Sequence, residues 1–216
     1  MILDILLCLS IVPSVMILCE AWEPGWAAFR GQMPALVPTE AVDGIEDQPK
    51  LPRQTSEHGL DHLLVSLPKM KTYHWLGGAT LGMKNFLGVF PGGIYGWPKN
   101  VLQWAGIDEC VADLYQLFAR TFAIEDDVDG MEGNGPIQGV PKHAGVLVGG
   151  PNLVAVDATC CRVMWIDPER IGYLSLAGKG RIADSRIEQI GERIHSVRTD
   201  FKLLPNFEST IRLASA

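Results

Sequence analysis

A short apolar run that ends at a proline places the strongest constraint on the fold of this chain. Residues 63–65 (Leu-Leu-Val) are apolar and β-compatible, and Pro68 ends the run, which is typical of a buried strand. Polar residues and the pair Gly77-Gly78 follow, and a helical pattern begins at Thr80. The sequence therefore predicts a strand, a polar loop from Lys69 to Trp75 that leads into the glycine pair, and the start of a helix.

Further apolar strands and helices follow along the chain. Residues 121–124 and 144–148 predict two more buried strands, and Asp108 is predicted to begin a helix. Asp157 is predicted to cap a helix from Ala158 to Trp165, and contact with a ligand is its alternative role. A chain of 216 residues is long enough for one substantial core. We therefore predict an α/β fold in which a mixed or mostly parallel sheet is flanked by helices within a single domain.

The N-terminal part of the chain lacks this pattern. Residues 5–18 are strongly apolar and predict a strand or a helix, but Pro13 interrupts them and the run is too short to span a bilayer. Residues 20–59 are rich in proline and predict an irregular connection. We predict that residues 1–59 form an irregular N-terminal region, or the truncated start of a domain, and that residues 60–216 form the α/β domain. Since neither a basic n-region nor a cleavage site is evident, we predict a cytoplasmic location and no membrane span.

Acidic residues are absent from the stretch around the predicted loop. No Asp or Glu occurs from His62 to Ile107, although the chain has 25 acids and a net charge of -7. A local positive field in an acidic protein is typical of a site for an anionic small molecule such as a phosphate or a carboxylate, and loops after strands are where open α/β sheets bind ligands. The alternative is a set of solvated surface lysines. The predicted ligand contacts are Lys69, Lys71, Thr72, Lys84 and Asn85.

A second polar cluster follows the strand at residues 121–124. We predict an acidic, glycine-rich loop from Asp126 to Gly135, in which Glu132 and Asn134 contact the ligand. Its carboxylates could bind a divalent cation, with Asp126 and Asp129 as the candidate ligands. Asp126 could instead serve as an acid or base, and turn formation by Asp, Asn and Gly explains the same residues.

His74 is the candidate proton-transfer group, since the unperturbed pKa of histidine lies near physiological pH. Together with Asp126 it forms the predicted catalytic pair. If the two predicted strands are parallel neighbours in one sheet, both loops emerge at the same edge. The lysines and His74 would then face the carboxylates across a cleft.

Three blocks of sequence resemble a known family. They are VSLPKMKTYHWLGGATLGMKNFLGVFPG, DGMEGNGPIQGVPK and LVAVDATCCRVMWIDPERIGYL, and in this order they resemble the domain of unknown function 362 family. The resemblance covers Asp61 to Leu176 and maps the family carboxylate to Asp126, whereas Asp127 departs from an Asp-Gly pattern. It implies no established activity. Some members carry a ferredoxin-like iron–sulfur module, which implies an iron–sulfur or other redox protein as a partner.

The cysteines and the known cofactor motifs do not identify a cofactor. The chain has five cysteines without a C-x-x-C pair, so it encodes no iron–sulfur cysteine motif, and the adjacent Cys160 and Cys161 are interpreted as buried small residues. Its excess of acids argues against nucleic-acid binding. Two functions remain: a redox-associated enzyme that binds an anionic small molecule, or a non-catalytic module that docks on an electron-transfer protein or a polyanion. The sequence leaves open whether the protein is an enzyme.

Overall fold

The structure is a computed structural model that describes residues 6–10, 14–19, 63–74, 78–89, 100–116, 118, 120–178, 182–183 and 186–213. The irregular region predicted at residues 20–59 lies outside the described residues, so the division at residue 60 stays a prediction. Within the described helices, none combines the length and the apolar composition needed to cross a bilayer.

Seven strands form one mixed sheet. The strands are β1 (Leu6–Ser10), β2 (Ser14–Cys19), β3 (Leu63–Leu67), β4 (Lys71–Thr72), β5 (Ala79–Thr80), β6 (Thr121–Glu132) and β7 (Val140–Gly150). The order is β1-β2-β3-β6-β4-β5, and β7 also pairs with β6. β3 and β4 run parallel to β6, whereas the other pairs are antiparallel. The predicted α/β class is confirmed, and so is the parallel pairing of the strands at residues 63–65 and 121–124.

The helices pack on the sheet and on one another. They are α1 (Gly82–Asn85), α2 (Asn100–Gln116), α3 (Leu153–Val163), α4 (Gly172–Gly178), α5 (Ile194–Val197) and α6 (Pro205–Ile211), with 3-10 turns at Phe86–Val89 and Pro168–Arg170. α3 contacts both β6 and β7, α1 contacts α3, and α2 packs against α4. The core between them is apolar and includes Leu64, Ala123, Phe86, Leu114 and Leu174.

One helix start agrees with the sequence prediction and one differs. α2 joins two helical segments across a break at Gly106, where φ is 123°, and the second segment corresponds to the helix predicted from Asp108. α3 starts at Leu153, and its N-cap is Asn152, whose side chain accepts a hydrogen bond from the Ala155 amide. Asp157 therefore does not cap α3. It lies inside the helix, because the apolar residues before it already belong to the helical face that packs on the sheet.

Strand extends into both predicted loops. β6 continues to Glu132, and the turn into β7 occupies residues 133–139. Buried and exposed positions alternate along β6, so Glu125 and Asp127 point to the same side as Ala123. The predicted Lys69–Trp75 loop likewise contains β4. The acidic residues were assigned to a loop because charge is rare in the middle of a strand, but here the alternation extends through them.

Candidate functional site

The pairing along one edge of β6 opens in the middle. β7 pairs with β6 at both Ala123 and Met131, so β3 and β4 share the opposite edge. Ser66 of β3 pairs with Ala123, and Lys71 of β4 pairs with Met131. Between these two pairs the chain from β3 to β4 advances five residues, whereas β6 advances eight. The three extra residues make β6 bulge away from its neighbour. Breaks of this kind commonly re-aim side chains next to functional sites.

A side chain bridges this opening where a backbone carbonyl would otherwise do so. The amide of Met70 donates to Oδ1 of Asp127. On either side, the amide of Asp126 donates to the carbonyl of Pro68 at 3.0 Å, and the amide of Met131 donates to the carbonyl of Met70 at 2.9 Å. The strand pairing at this point therefore depends on a carboxylate.

Three carboxyl groups lie together beneath the opening. Glu125 and Asp127 of β6 and Asp157 of α3 have no exposed surface. Asp157 accepts hydrogen bonds from the amides of Gly82 and Met83, each at 3.0 Å. Within the described part of the chain no N–H group donates to Glu125, whose side-chain partner is the carboxyl group of Asp157, and Oδ2 of Asp127 has no hydrogen-bond partner. Buried carboxylates without partners are costly, so this cluster requires an explanation.

Burial shifts the proton equilibria of this cluster toward neutral pH. Burial raises the pKa of Asp127 to about 7, against the hydrogen bond from Met70, and raises the pKa of Asp157 to about 7, against the amide bonds at Met83 and Gly82. Burial, followed by the charges of Asp157 and Asp127, raises the pKa of Glu125 well above its usual value. Perturbed groups that cluster in this way are typical of functional sites.

One lysine shares this buried environment. Lys71 is 1% exposed. Burial lowers its pKa to about 8, while the negative charges of Glu125 and Asp127 oppose that shift. Lys71 thus supplies one positive charge among three carboxyl groups, and it faces them from β4.

Gly82 fits between two of these carboxyl groups because it has no side chain. A Cβ at this position would lie 2.8 Å from Oδ1 of Asp157 and 2.9 Å from Oε1 of Glu125. The short helix α1 can therefore bring its first two amides to Asp157. The acidic centre is enclosed by α1, α3 and β6 at van der Waals distance.

Cys160 completes a group that could hold a metal ion. It lies one turn after Asp157 on α3 and is fully buried, as predicted. One donor atom each from Glu125, Asp127 and Cys160 lie within 4.8 Å of one another, and no other such group of three occurs among the described residues. The metal candidates predicted from the sequence lie elsewhere: Asp126 pairs with Lys69, and Asp129 pairs with His143.

The two segments predicted to face each other, Lys69–Trp75 and Asp126–Gly135, do come into contact. They lie side by side rather than on opposite walls of a cleft. The Nζ of Lys69 lies 2.8 Å from Oδ2 of Asp126, and both side chains are partly exposed. The hydrogen bond from Lys69 holds the pKa of Asp126 below its usual value. Asp126 is therefore a charged partner for a cation, and a role as a general acid at neutral pH does not fit it.

Two further predicted residues contact the turn between β6 and β7. The Thr72 hydroxyl donates to the carbonyl of Gly133 at 2.8 Å. The Nδ1 of His74 lies 2.6 Å from the carbonyl oxygen of Gly135, and its backbone amide donates to the same oxygen at 3.0 Å. Thr72 is buried, whereas His74 is exposed. Of these two residues, only His74 is accessible to a ligand from solvent.

Lys84 and Asn85 lie inside the protein. The Nζ of Lys84 lies 3.0 Å from the centroid of the Tyr73 ring and has no hydrogen-bond partner in the described regions. Burial lowers the pKa of Lys84 well below its usual value, and the charge of Asp108 only partly opposes this. A ring face stabilises an ammonium by about 0.5–2 kcal/mol, which is less than complete burial can remove. Asn85 donates to the hydroxyl of Ser66 at 3.1 Å.

Glu132 and Asn134 lie at the turn that ends β6. Glu132 is 5% exposed and accepts a hydrogen bond from the Lys202 amide at 3.0 Å. Its carboxylate lies 3.5 Å from the Nζ of Lys142 and 4.0 Å from the Nζ of Lys202. Asn134 is exposed and donates to the side chain of Gln138 at 2.9 Å. Glu132 thus anchors two lysines at the surface.

Sequence reasoning did not select Glu125, Asp127 or Cys160 as site residues. It named Lys71 as a ligand contact, and a ligand contact was the alternative to capping for Asp157. A period of two from Ala123 to Glu125 and Asp127 was present in the sequence, as was the spacing of three between Asp157 and Cys160 on a helix. Extending the strand alternation through the acids would have placed the first two side chains in the core. That α3 faces β6 at this point follows only from the tertiary structure.

Comparisons with known proteins match the part of the chain that contains the buried centre. A family model described as "Domain of unknown function (DUF362)" matches residues 50–162. A thylakoid-associated protein of Synechocystis sp. is 31% identical over 117 residues, which make up 50% of this chain and 34% of that relative. This chain therefore spans about a third of the length of the curated relative. No solved structure matches the chain. Because the family model covers more than half of the sequence, the chain belongs to the DUF362 family, a domain of unknown function.

Proposed function

We propose that the protein binds a small anionic molecule beside the β6–β7 turn and that His74 exchanges a proton with it. The observation that carries the proposal is the contact between Nδ1 of His74 and the carbonyl oxygen of Gly135 at 2.6 Å. A carbonyl only accepts hydrogen bonds, so in the neutral ring Nδ1 carries the proton and Nε2 keeps its lone pair. The ring is exposed, and Nε2 is thus oriented as a base.

Positive charge at the same turn supports an anionic ligand. Lys142 and Lys202 share the single carboxylate of Glu132, and the Lys202 side chain is 81% exposed. The carbonyl of Lys202 accepts a hydrogen bond from Gly133, while His74 bonds to Gly135. Lys202 and His74 therefore flank the same three-residue segment, where the exposed ammonium of Lys202 favours an anion.

The ligand contacts predicted from the sequence divide into two groups under this proposal. Asn134 reaches the surface at the turn and contacts the ligand directly, whereas Lys69 is held by Asp126, well before the turn on β6. The remaining predicted contacts are buried and support the site from within: Lys71, Thr72, Lys84, Asn85 and Glu132. Under this proposal the protein is an enzyme that uses acid–base chemistry. A redox protein as a partner is implied by the family resemblance alone.

Inorganic phosphate is a suitable probe for this site. We expect a phosphate titration followed by NMR to shift the ring proton signals of His74 more than those of His143, which is exposed but pairs with Asp129. His74→Gln should weaken phosphate binding about tenfold, because a hydrogen bond to a charged group contributes about 1.5–3 kcal/mol. His143→Gln is the matched control. Equal phosphate-induced shifts of the His74 and His143 ring signals would contradict the proposal.

A second candidate is the docking module, and an exposed apolar strip favours it. Ile124, Val128 and Leu147 are 40%, 45% and 67% exposed, and they lie on the outward face of the β6–β7 pair. A strip of this kind suits a protein partner better than a polyanion. We expect a small ferredoxin to bind in calorimetry and Leu147→Asp to abolish the binding. Ile190→Asp, at a 92% exposed site elsewhere, should leave it unchanged.

The cellular location follows the choice between these functions. The sequence predicts the cytoplasm for a small-molecule enzyme. The name of the relative places that protein with thylakoids, and by analogy a docking module would work at a membrane surface. Fractionation of cells that express the full chain distinguishes the two locations.

A further inference from the structure

We propose that Glu125, Asp127 and Cys160 bind one divalent cation of the borderline-soft class, of which Zn²⁺ is the type. The donor atoms of these three side chains lie within 4.8 Å of one another. They come from two elements, β6 and α3, that the core holds in place. The site uses none of the residues of the proposed anion site, so either proposal can fail without the other.

The unpartnered oxygens are the observation that points to a ligand. Glu125 has no exposed surface, and no N–H group of the described residues donates to it; its side-chain partner is another carboxyl group, that of Asp157. Oδ2 of Asp127 is buried without a partner among the described residues. The amide of Gly82 lies near Glu125, but its hydrogen bond is made to Asp157 at 3.0 Å. A cation is the ligand that can satisfy several buried anionic oxygens at once.

Further polar groups surround the proposed ligands. Asp157 lies beside Glu125, since the Cβ position of Gly82 is within 3 Å of an oxygen from each. Lys71 is the positive group that acts on both Glu125 and Asp127. A divalent ion bound to Glu125 and Asp127 would take the place of the protons that these buried carboxyl groups otherwise hold. Asp157, held by two amides, is positioned beside the ligands rather than among them.

The donor set selects the metal class. Two carboxylates and a thiolate suit Zn²⁺, for which bonds of about 2.3 Å to sulfur and about 2.0–2.2 Å to oxygen are usual. Mg²⁺ and Ca²⁺ prefer oxygen donors only. Three protein ligands leave one position of a tetrahedron for water or another group, as in catalytic zinc sites.

Cobalt gives a direct readout, because a thiolate bound to Co²⁺ produces a charge-transfer band in the near ultraviolet. The full-length chain is treated with a chelator and titrated with Co²⁺. We expect one Co²⁺ per chain and a band that Zn²⁺ removes by displacement. Cys160→Ser should lose the band, whereas Cys161→Ser, its buried neighbour, should keep it. The absence of the band in the wild-type protein, or its persistence in Cys160→Ser, would overturn the proposal.

A second variant protects the test from misfolding. Glu125→Gln keeps the shape of the side chain, and its folding is checked by circular dichroism. We expect it to weaken Co²⁺ binding by at least about 100-fold, since even the loss of a residue that only supports a ligand costs about 10- to 100-fold. Unchanged affinity in folded Glu125→Gln would contradict the site. His74→Gln should bind Co²⁺ like the wild-type protein, which separates this outcome from the fate of the anion site.

Discussion

At the scale of single residues, Gly82 shows how closely the acidic centre is enclosed. A methyl group there would meet an oxygen of Asp157 at 2.8 Å and an oxygen of Glu125 at 2.9 Å. Neither oxygen lies at the end of a freely moving side chain, because Asp157 is held by two amides and Glu125 is packed in the core. We expect Gly82→Ala to lower the free energy of unfolding by about 1–3 kcal/mol, the usual range for overpacking. Chemical denaturation measures this, and an unchanged midpoint would show that the centre is looser than described.

Lys84 predicts a pH dependence at the same scale. Burial lowers the pKa of Lys84 in the folded protein well below the ordinary value of 10.5. At pH values between the lowered pKa of the folded protein and the ordinary pKa, Lys84 is protonated in the unfolded chain and neutral in the folded protein. The free energy of unfolding therefore rises with pH in this range. We expect Lys84→Met to remove this rise, as measured by denaturation at a series of pH values up to 10.5. The charge of Asp108 opposes the shift in the wild-type protein, and parallel pH profiles for both proteins would contradict the prediction.

At the scale of elements, α3 carries both Asp157 and Cys160 to the sheet, and its start is set by Asn152. We expect Asn152→Ala to cost about 1 kcal/mol of unfolding free energy, because the Ala155 amide then loses its capping acceptor at 3.1 Å. Asn152→Asp supplies an equivalent acceptor and should remain near the wild-type value. Equal losses in the two variants would mean that the side-chain cap does not stabilise α3.

Elements also show what the sequence could and could not predict. The apolar runs at residues 63–65 and 121–124 identified β3 and β6, whereas their parallel pairing was only a condition of the sequence argument, which the structure meets. The continuation of β6 through Glu125 and Asp127 was missed, because buried charges contradict the ordinary composition of a strand. Asp157 was assigned to a cap because the sequence contains no sign that α1 supplies amides to it from 75 residues away. Those contacts exist only once the core has formed.

At the scale of the whole molecule, the proposed cation links stability to metal supply. A ligand that binds only the folded state stabilises it by about 2.7 kcal/mol at a concentration 100 times its Kd. We expect chelator-treated protein to unfold at a lower temperature than protein saturated with Zn²⁺, as measured by calorimetry. Glu125→Gln should show no such difference. A wild-type melting temperature that is indifferent to Zn²⁺ would contradict the prediction.

The amide of Met70 makes the buried centre observable from the backbone. Its hydrogen bond goes to Asp127, whose other oxygen belongs to the unpartnered group, so any change of charge at that carboxylate alters the electron density around one amide proton. The ¹H–¹⁵N resonance of Met70 is thus a built-in spectroscopic reporter. It would register protonation or occupancy of the centre in the native protein, without a label and without a known substrate.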